Sequence, residues 1–537
     1  MAFLPKNTLF AQEKKMSREF LITAGVFLVI TLISIYSPMR WNQFVDYDDG
    51  QYIFDNPWIK SGLQLSTIRW AFTQVYASNW HPLTWISLAA DYQIWGLNPF
   101  GFHLTNLIFH TLNALLVWRV LYLWIRNHYL SFWAAILFAV HPLHVESVAW
   151  ASERKDVLCA FFWWLCLWSY DRYVKFSDWR NYLQVTIFVA AALMAKPTAV
   201  TLPVIFLLLD YWPYCRLKRK SFFEKLPWMG LCVLVSQMTL WAQDEVVQSV
   251  GQYPLWLRLT NASISYAIYL RKIFFPVDLA VFYPLSRMVL SPLWMTVFGA
   301  GIIFVGWLGW KVRKTYPYFL FGWGWFLIVL IPMIGIVKVG SQSMADRYAY
   351  ISCIGVGFAV ILGLFQWLKR FSRGKEIFVS IMASAVLFFS FMTVFQVKYW
   401  RSSETLFSRA IQVNSQNYMA YANLGSVWKN RGDCVKANSY YEQAIHIKPR
   451  LNLVYYDYAD CLDVLGNSQE AVRYFLMAIR ANPKDLEAHE RLADIYIRQQ
   501  KIDRALWHLQ KMIQIQPDYP GAQEKIRSLQ AGLEDPS

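Results

Sequence analysis

Windows of apolar residues, each about as long as a bilayer core is thick, recur down roughly the first three quarters of the chain. FLITAGVFLVITLISIY near 20–36, LTNLIFHTLNALLVWRVLYLW near 104–124 and IFVSIMASAVLFFSFMTVF near 377–395 are the clearest. A segment of this kind hides its backbone polar groups by folding as a helix, because lipid offers them no partner. Residues are 56% hydrophobic and only 16% charged, whereas soluble domains carry charge on about a quarter of theirs. The first window has no small-residue cleavage site after it, so it reads as a retained helix rather than a removed signal peptide.

The formal charge of +16 does not point to nucleic acid, because the basic residues form short clusters between the apolar windows. Lys14, Lys15 and Arg18 precede the first window. Arg172, Lys175 and Arg180, then Arg216, Lys218, Arg219, Lys220 and Lys225, follow later ones. Lys311, Arg313 and Lys314, and finally Lys369, Arg370, Arg373 and Lys375, complete the series. Cytoplasmic loops are the basic ones. Placing these clusters inside predicts about eleven crossings, with the N-terminus cytoplasmic and the C-terminus outside. The predicted spans are 20–37, 103–124, 131–147, 156–172, 181–196, 199–213, 226–242, 291–310, 317–337, 346–368 and 376–397. The seven cysteines form no CxxC pair and no zinc spacing, and most sit in apolar windows. Cys434 and Cys461 lie in the polar tail, where an oxidising compartment would let them pair.

From about residue 400 the windows stop. Pro449, Pro483 and Pro517 are 34 residues apart, and so are Ala437, Ala471 and Ala505. Leu424, Gly425, Tyr441 and Ala444 fill further places of the first repeat, and Phe475 and Ala478 those of the second. This is the tetratricopeptide (TPR) period, in which small residues let paired helices approach. The expected organisation is a membrane domain over 1–397 and an extracytoplasmic TPR domain over 398–537. Such an array offers a concave face to an extended polypeptide, or simply stabilises the protein.

Ionisable residues near a membrane are expensive and call for a role. In the predicted topology they gather on the outer side. The first outer loop holds FVDYDDGQYIFDNP (44–57) and His81; the next holds HPLHVESVAW with His141, His144 and Glu146, then SERKD (152–156) with Arg154. Lys196 follows in MAKPTAVTLP. The segment 243–290 carries Asp244, Glu245, Arg258, Arg271, Lys272 and FPVDLAVFYPLSR, and a last loop carries Asp346 and Arg347. Each has a plain alternative. Asp48 and Asp49 can cap a short helix, His81-Pro82 can be a turn, Asp346-Arg347 an internal salt bridge, and Lys196 can snorkel to the interface. Two histidines and one acid are a thin set for a metal.

Five segments resemble one family. YDD in the first outer loop, HPLTWISLAADYQIWGLNPFGFHLTNLIFH (81–110), HPLHVESVAW (141–150), AKPTAVTLP (195–203) and ADRYAYI (345–351) resemble the transmembrane and tetratricopeptide-repeat O-mannosyltransferases, over nearly the whole chain and in the same order. His81, Pro197 and Asp346 stand where animal members tend to carry Arg, Glu and Glu, which makes the chain look like a bacterial branch in an inner membrane. The resemblance implies an all-α, polytopic helix bundle of the GT-C glycosyltransferase kind followed by a TPR α-solenoid. It implies a polyprenyl-phosphate-linked sugar as donor, a protein acceptor, inversion at the sugar, and a catalytic acid carried over to Asp49 or Asp48 with Glu146 in support. The leaving phosphate needs cations, for which Lys196, Arg347 and Arg154 are candidates. His81, His141, His144 and Asp346 are candidate substrate contacts. A divalent cation can bind carboxylates, yet one DYDD run lacks the ligands for a closed site. A glycolipid or cell-wall glycan acceptor and a non-catalytic TPR scaffold are the alternatives; a transporter fits less well, because no inverted halves with broken helices are evident.

Overall fold

The computed structural model describes residues 17–244, 253–285, 290–337 and 340–534, with side chains to 530. Lys14, Lys15, Glu245 and the Ser286-Arg287 end of FPVDLAVFYPLSR lie outside the described residues. The chain divides into two compact units between Leu406 and Phe407. Both are helical, and among the described residues the only strand-like pairings are two isolated bridges.

Every predicted apolar window contains a helix in the first unit, although residues 331–337 of the span 317–337 are turn and bend. The helices are Arg18–Tyr36, Pro99–Ile125, His128–Ala139, Arg154–Phe176, Trp179–Ala195, Leu202–Tyr211, Leu226–Ala242, Pro292–Val312, Pro317–Leu330, Ala349–Leu368 and Gly374–Tyr399. By length and apolarity five described helices can cross a membrane, or six if one bent pair counts as a span. Several of the eleven predicted crossings fall short for visible reasons. Leu202–Tyr211 and Pro317–Leu330 are short, and Arg154–Phe176 carries Arg154, Lys155, Asp156, Asp171, Arg172 and Lys175. One further helix, Leu255–Phe274, was not expected from the windows, because Arg258, Arg271 and Lys272 interrupt its apolar run.

Local sequence explains the breaks. Asn98 accepts from Phe100 N at 3.1 Å and Pro99 opens the following helix, which ends at Arg126 in the left-handed region at φ 54°. Asn127 then caps the next helix by accepting from Leu130 N at 2.8 Å, so two long helices are joined by a two-residue turn. The predicted span 131–147 is interrupted at Pro142, which cannot donate to the preceding turn. Pro142–Ala149 therefore leaves the His128–Ala139 direction by 53°. That break carries Glu146 away from the helix axis and into the interior, where it is buried.

The helices Pro317–Leu330 and Ala349–Leu368 cross at glycine. A Cβ at Gly355 would stand 2.5 Å from the Gly322 carbonyl oxygen and 2.8 Å from Trp325 Cβ. Pro292–Val312, by contrast, leaves Ile303, Phe304, Trp307 and Trp310 exposed, as a lipid-facing helix does.

The second unit is a helical-hairpin array: Tyr418–Asn430 with Cys434–Ile447, Tyr455–Val464 with Ser468–Ala481, and Leu486–Arg498 with Ile502–Ile515, closed by Ala522–Glu534. Ala437, Ala471 and Ala505 are fully buried. Gly425 is required because any Cβ there would collide with the Tyr441 ring. Lys429 reaches from the first repeat to Asp457 and Asp460 of the second, at 2.6 and 3.1 Å.

A valine at Gly355 cannot be absorbed by side-chain motion, since it meets backbone. Gly355→Val is expected to destabilise the first unit by about 3 kcal/mol, at the upper end for overpacked sites, measured as a fall in melting temperature in detergent. An unchanged melting temperature would show that the two helices do not cross here.

Candidate active site

The acidic loop after the first helix is held from three sides. Gln43 N donates to Arg401 O at 2.9 Å, and Asp46 N to Ser403 Oγ at 2.7 Å. Tyr52 packs on Trp85 with ring centres 4.7 Å apart, in a core that includes Ile53, Ile59, Trp70 and Phe102. Asp49 is fully buried. Its Oδ2 accepts from Val45 N at 2.8 Å and its Oδ1 from Ser152 N at 3.0 Å and from the Ser152 hydroxyl. The carboxylate thus pins the loop to the SERKD turn; it does not cap the following Gly50–Phe54 turn. Burial pushes its pKa up to about 6, with the Ser152 and Val45 hydrogen bonds opposing. Asp48 differs. It is half-buried, and among the described residues no donor is hydrogen-bonded to its carboxylate. Burial raises its pKa, while Lys155 and Arg347 draw it down.

Beside Asp48 lies a chain of ion pairs. Arg347 donates from its backbone N to Glu146 Oε2 at 3.0 Å and from Nη1 to Glu146 Oε1, while its Nε stands 3.1 Å from Glu153 Oε1. Lys155 pairs with Glu153 at 3.2 Å, and Lys196 stands 3.7 Å from Glu153 and forms a shorter pair with Asp156. Ser147 Oγ donates to Asp156 Oδ2 at 3.0 Å. Three acids thus face three bases, and aromatic faces finish the surround: Lys155 Nζ is 4.5 Å from the Tyr52 ring centre and the Arg347 guanidinium 5.4 Å from that of Trp150. A narrow cleft opens on this network, lined by Asp156, Lys196, Arg347, Tyr348, Tyr350 and Trp163 among others. Among the described residues no group of three or more His, Cys, Asp or Glu is arranged to hold a metal ion.

Of the sequence-predicted residues, Asp48, Asp49, Glu146, Lys196 and Arg347 converge here from separate segments. Others are committed elsewhere. Arg154 turns away to Asp91 and Asn106 at 2.5 Å, Ser87 at 2.7 Å and the Phe102 carbonyl at 2.9 Å, and is fully buried. Asp346 does not pair with Arg347. It accepts from Lys272 Nζ at 2.8 Å, Tyr283 OH at 2.6 Å and Ala280 N at 3.2 Å. Both ring nitrogens of His141 are used, by Leu143 N and the Ile273 carbonyl, and both of His144, by the Phe138 carbonyl and Cys353. His81 is buried against Trp85, ring centres 4.5 Å apart, with Nε2 unpartnered. Burial lowers its pKa and keeps it neutral.

Sequence reasoning missed Glu153, Lys155 and Asp156. Adjacent helical residues point about 100° apart, so Arg154 and Lys155 serve opposite sides. Arg154 is committed to Asp91, Asn106 and Ser87, while Lys155 joins the network through Glu153. The usable signal was four successive charges in an apolar chain.

The fold and site are those of a polytopic helical membrane protein with a buried charge network and an appended TPR array. Residues 82–241 match the dolichyl-phosphate-mannose-protein mannosyltransferase family, and residues 456–520 match the tetratricopeptide repeat family. Over 92% of its length the chain is similar, at 23% identity, to protein O-mannosyl-transferase TMTC3 of Mus musculus, covering 60% of that protein. It is 24% identical to protein O-mannosyl-transferase TMTC1 of Homo sapiens over 77% of this chain and 54% of that one. A 143-residue stretch, 25% of this chain and 15% of the relative, is 35% identical to protein O-mannosyl-transferase Tmtc2 of Drosophila melanogaster. The chain thus spans about 60% of the length of the first relatives it matches. The crystal structure of YrrB, a TPR protein with an unusual peptide-binding site, covers 32% of this chain and 90% of its own at 20% identity, with a TM-score of 0.22.

Asp49→Asn sets an amide NH₂ against a backbone or hydroxyl donor and is expected to cost about 1–3 kcal/mol, read as a lower melting temperature. In the folded protein the carboxyl holds its proton more tightly than in the unfolded chain, from 3.8 up to about 6. Stability should therefore fall as pH rises through that window. The Asn variant should lose that slope; equal slopes would show that Asp49 is not the group titrating.

Proposed function

We propose that this chain is a membrane glycosyltransferase. It moves a sugar, mannose by analogy with its named relatives, from a polyprenyl-phosphate donor to a hydroxyl of a protein acceptor at the extracytoplasmic face. The observation that carries this reading is a half-buried carboxylate, Asp48, with no hydrogen-bond donor among the described residues, beside a fully paired set of cations that opens on a cleft.

Asp48 is the base. Its carboxylate takes the proton of the acceptor hydroxyl as that oxygen attacks the anomeric carbon. The new bond joins acceptor oxygen to the anomeric carbon, the bond from that carbon to the phosphate oxygen breaks, and the charge leaves on the lipid phosphate. One displacement inverts the sugar. Asp49 holds Asp48 in place rather than reacting, because its lone pairs already receive three donors. Arg347 and Lys196, both lining the cleft, stabilise the departing phosphate. Glu146 clamps Arg347 through both carboxylate oxygens and so fixes the direction of the guanidinium. Lys155 favours the charged form of Asp48 against the burial that raises its pKa.

A second, apolar cleft of about 250 Å³ runs along the same helix pair as the first, between Tyr316, Trp323, Val356 and Gly363. Its lining suits a prenyl chain, with the phosphate at the charged end. The TPR array holds the acceptor polypeptide and stands outside a bacterial inner membrane, with the N-terminus in the cytoplasm.

Asp48→Asn is expected to lower kcat by about 10²-fold or more at an unchanged melting temperature, assayed with a polyprenyl-phosphate sugar and a Ser/Thr peptide. Turnover near the wild-type rate would remove Asp48 from the chemistry. Because the base works ionised and its pKa is raised, the wild-type rate should climb with pH on its acid limb, with a midpoint above 3.8. Arg347→Lys keeps the charge but not the fork, and should raise the donor KM by roughly tenfold. An unaltered donor KM would count against the phosphate role.

A further inference from the structure

Cys434 and Cys461 face each other across neighbouring TPR repeats. Cys434 opens the helix Cys434–Ile447, directly after Asp433, whose side chain caps that helix by accepting from Lys436 N at 3.0 Å. Cys461 lies on Tyr455–Val464, the first helix of the next repeat. Their Sγ atoms are 2.6 Å apart, closer than two sulfurs rest without a bond between them. Both thiols are buried, Cys434 9% and Cys461 0% exposed. The other five cysteines all belong to the first unit. A pair of small apolar residues would fill this interior as well, so packing alone does not call for two thiols.

We propose that Cys434 and Cys461 are a disulfide-bonding site whose cystine ties the first repeat to the second. The inference rests on the extracytoplasmic placement of the repeats, since thiols stay reduced in the cytoplasm. One thiolate attacks the disulfide of an extracytoplasmic thiol–disulfide oxidoreductase, and a mixed disulfide forms. The second thiolate then displaces the oxidoreductase cysteine. Two protons and two electrons leave the chain, and the oxidant departs as its dithiol. Burial pushes the Cys461 thiol up, away from the reactive thiolate. The bond therefore forms while the repeats are folding and is shielded from reductant afterwards. It closes a loop across the junction between two repeats, the place where a nearest-neighbour array is held only by its interface.

The test uses the full chain, with cells lysed directly into denaturant that contains a small alkylating reagent and no reductant, so that buried thiols are reached. After denaturation and digestion, mass spectrometry is expected to find a cross-linked peptide containing Cys434 and Cys461, two hydrogens lighter than the two peptides together, with the remaining five cysteines alkylated. Cys434→Ser should leave Cys461 alkylatable and lower the melting temperature by about 5 °C, as loss of one such cross-link does in a domain of this size. Recovery of both wild-type residues as alkylated thiols overturns the proposal. A parallel Ser439→Cys variant, exposed on the same helix, is treated in intact spheroplasts with a membrane-impermeant maleimide. Labelling there together with reduced Cys434 and Cys461 refutes the cystine and leaves the topology standing. Absence of labelling refutes the topology, and the cystine with it. None of these readouts depends on sugar transfer, so an inactive chain that carries the cystine leaves this inference intact.

Discussion

Charge pairing in an apolar interior is the constraint on which the rest of this structure depends. Moving one carboxylate or ammonium out of water costs several kcal/mol even after relaxation. The site holds Glu146, Glu153 and Asp156 with Lys155, Lys196 and Arg347, all buried or nearly so. They coexist because each acid has a cation within ion-pair distance and because Glu153 is shared by all three. Glu146 and Asp156 each depend on one cation, Arg347 and Lys196, so loss of either cation strands a buried acid, whereas Glu153 keeps two partners when one is lost. The broken helix at Pro142, the SERKD turn and the DRY turn before Ala349 are the places where the backbone bends so that these side chains can meet. Paired buried charge seldom adds stability over an apolar core. Under the proposed function its retention has a use, because fixed dipoles and cations beside a cleft need no reorganisation when charge develops.

The same reasoning separates what the sequence made legible from what it did not. Helical windows were readable because their period and length are properties of the segment itself, and each of them contains a helix in the structure. The TPR period was readable for the same reason: Ala437, Ala471 and Ala505 are small because helices touch there. Which loops meet was also readable, because Asp48, Glu146, Lys196 and Arg347 are costly residues with few other uses. The pairing of those residues was not. Arg154 and Lys155 are neighbours in sequence, yet one braces Asp91 and the other faces Asp48. Asp346 and Arg347 are likewise adjacent, yet one secures Lys272 and Tyr283 while the other holds Glu146. Local sequence carries no record of which side of a turn faces inward; tertiary packing decides it. The helix Leu255–Phe274 was illegible for a related reason, since its Lys272 is neutralised by an acid 74 positions away.

The two adjacent acids of the first outer loop show how the distinction bears on chemistry. A carboxylate becomes a useful base when it has a free lone pair, access to substrate and a protonation cost near the working pH. Asp49 meets the last condition and fails the first two: protonating it would push an O–H against donors from Val45 and Ser152. Asp48 has the reverse character, with an open carboxylate whose charge is balanced at a distance by Lys155 and Arg347. Two identical residues side by side are therefore placed unlike each other: Asp49 is tied to Val45 and Ser152, while no donor among the described residues is bonded to the Asp48 carboxylate. The partner of Asp49, Ser152, begins the same SERKD turn that supplies Glu153, Lys155 and Asp156. Fixing Asp49 to that turn thus fixes Asp48 relative to the cations, and the geometry of the site reduces to the rigidity of one loop-to-turn junction.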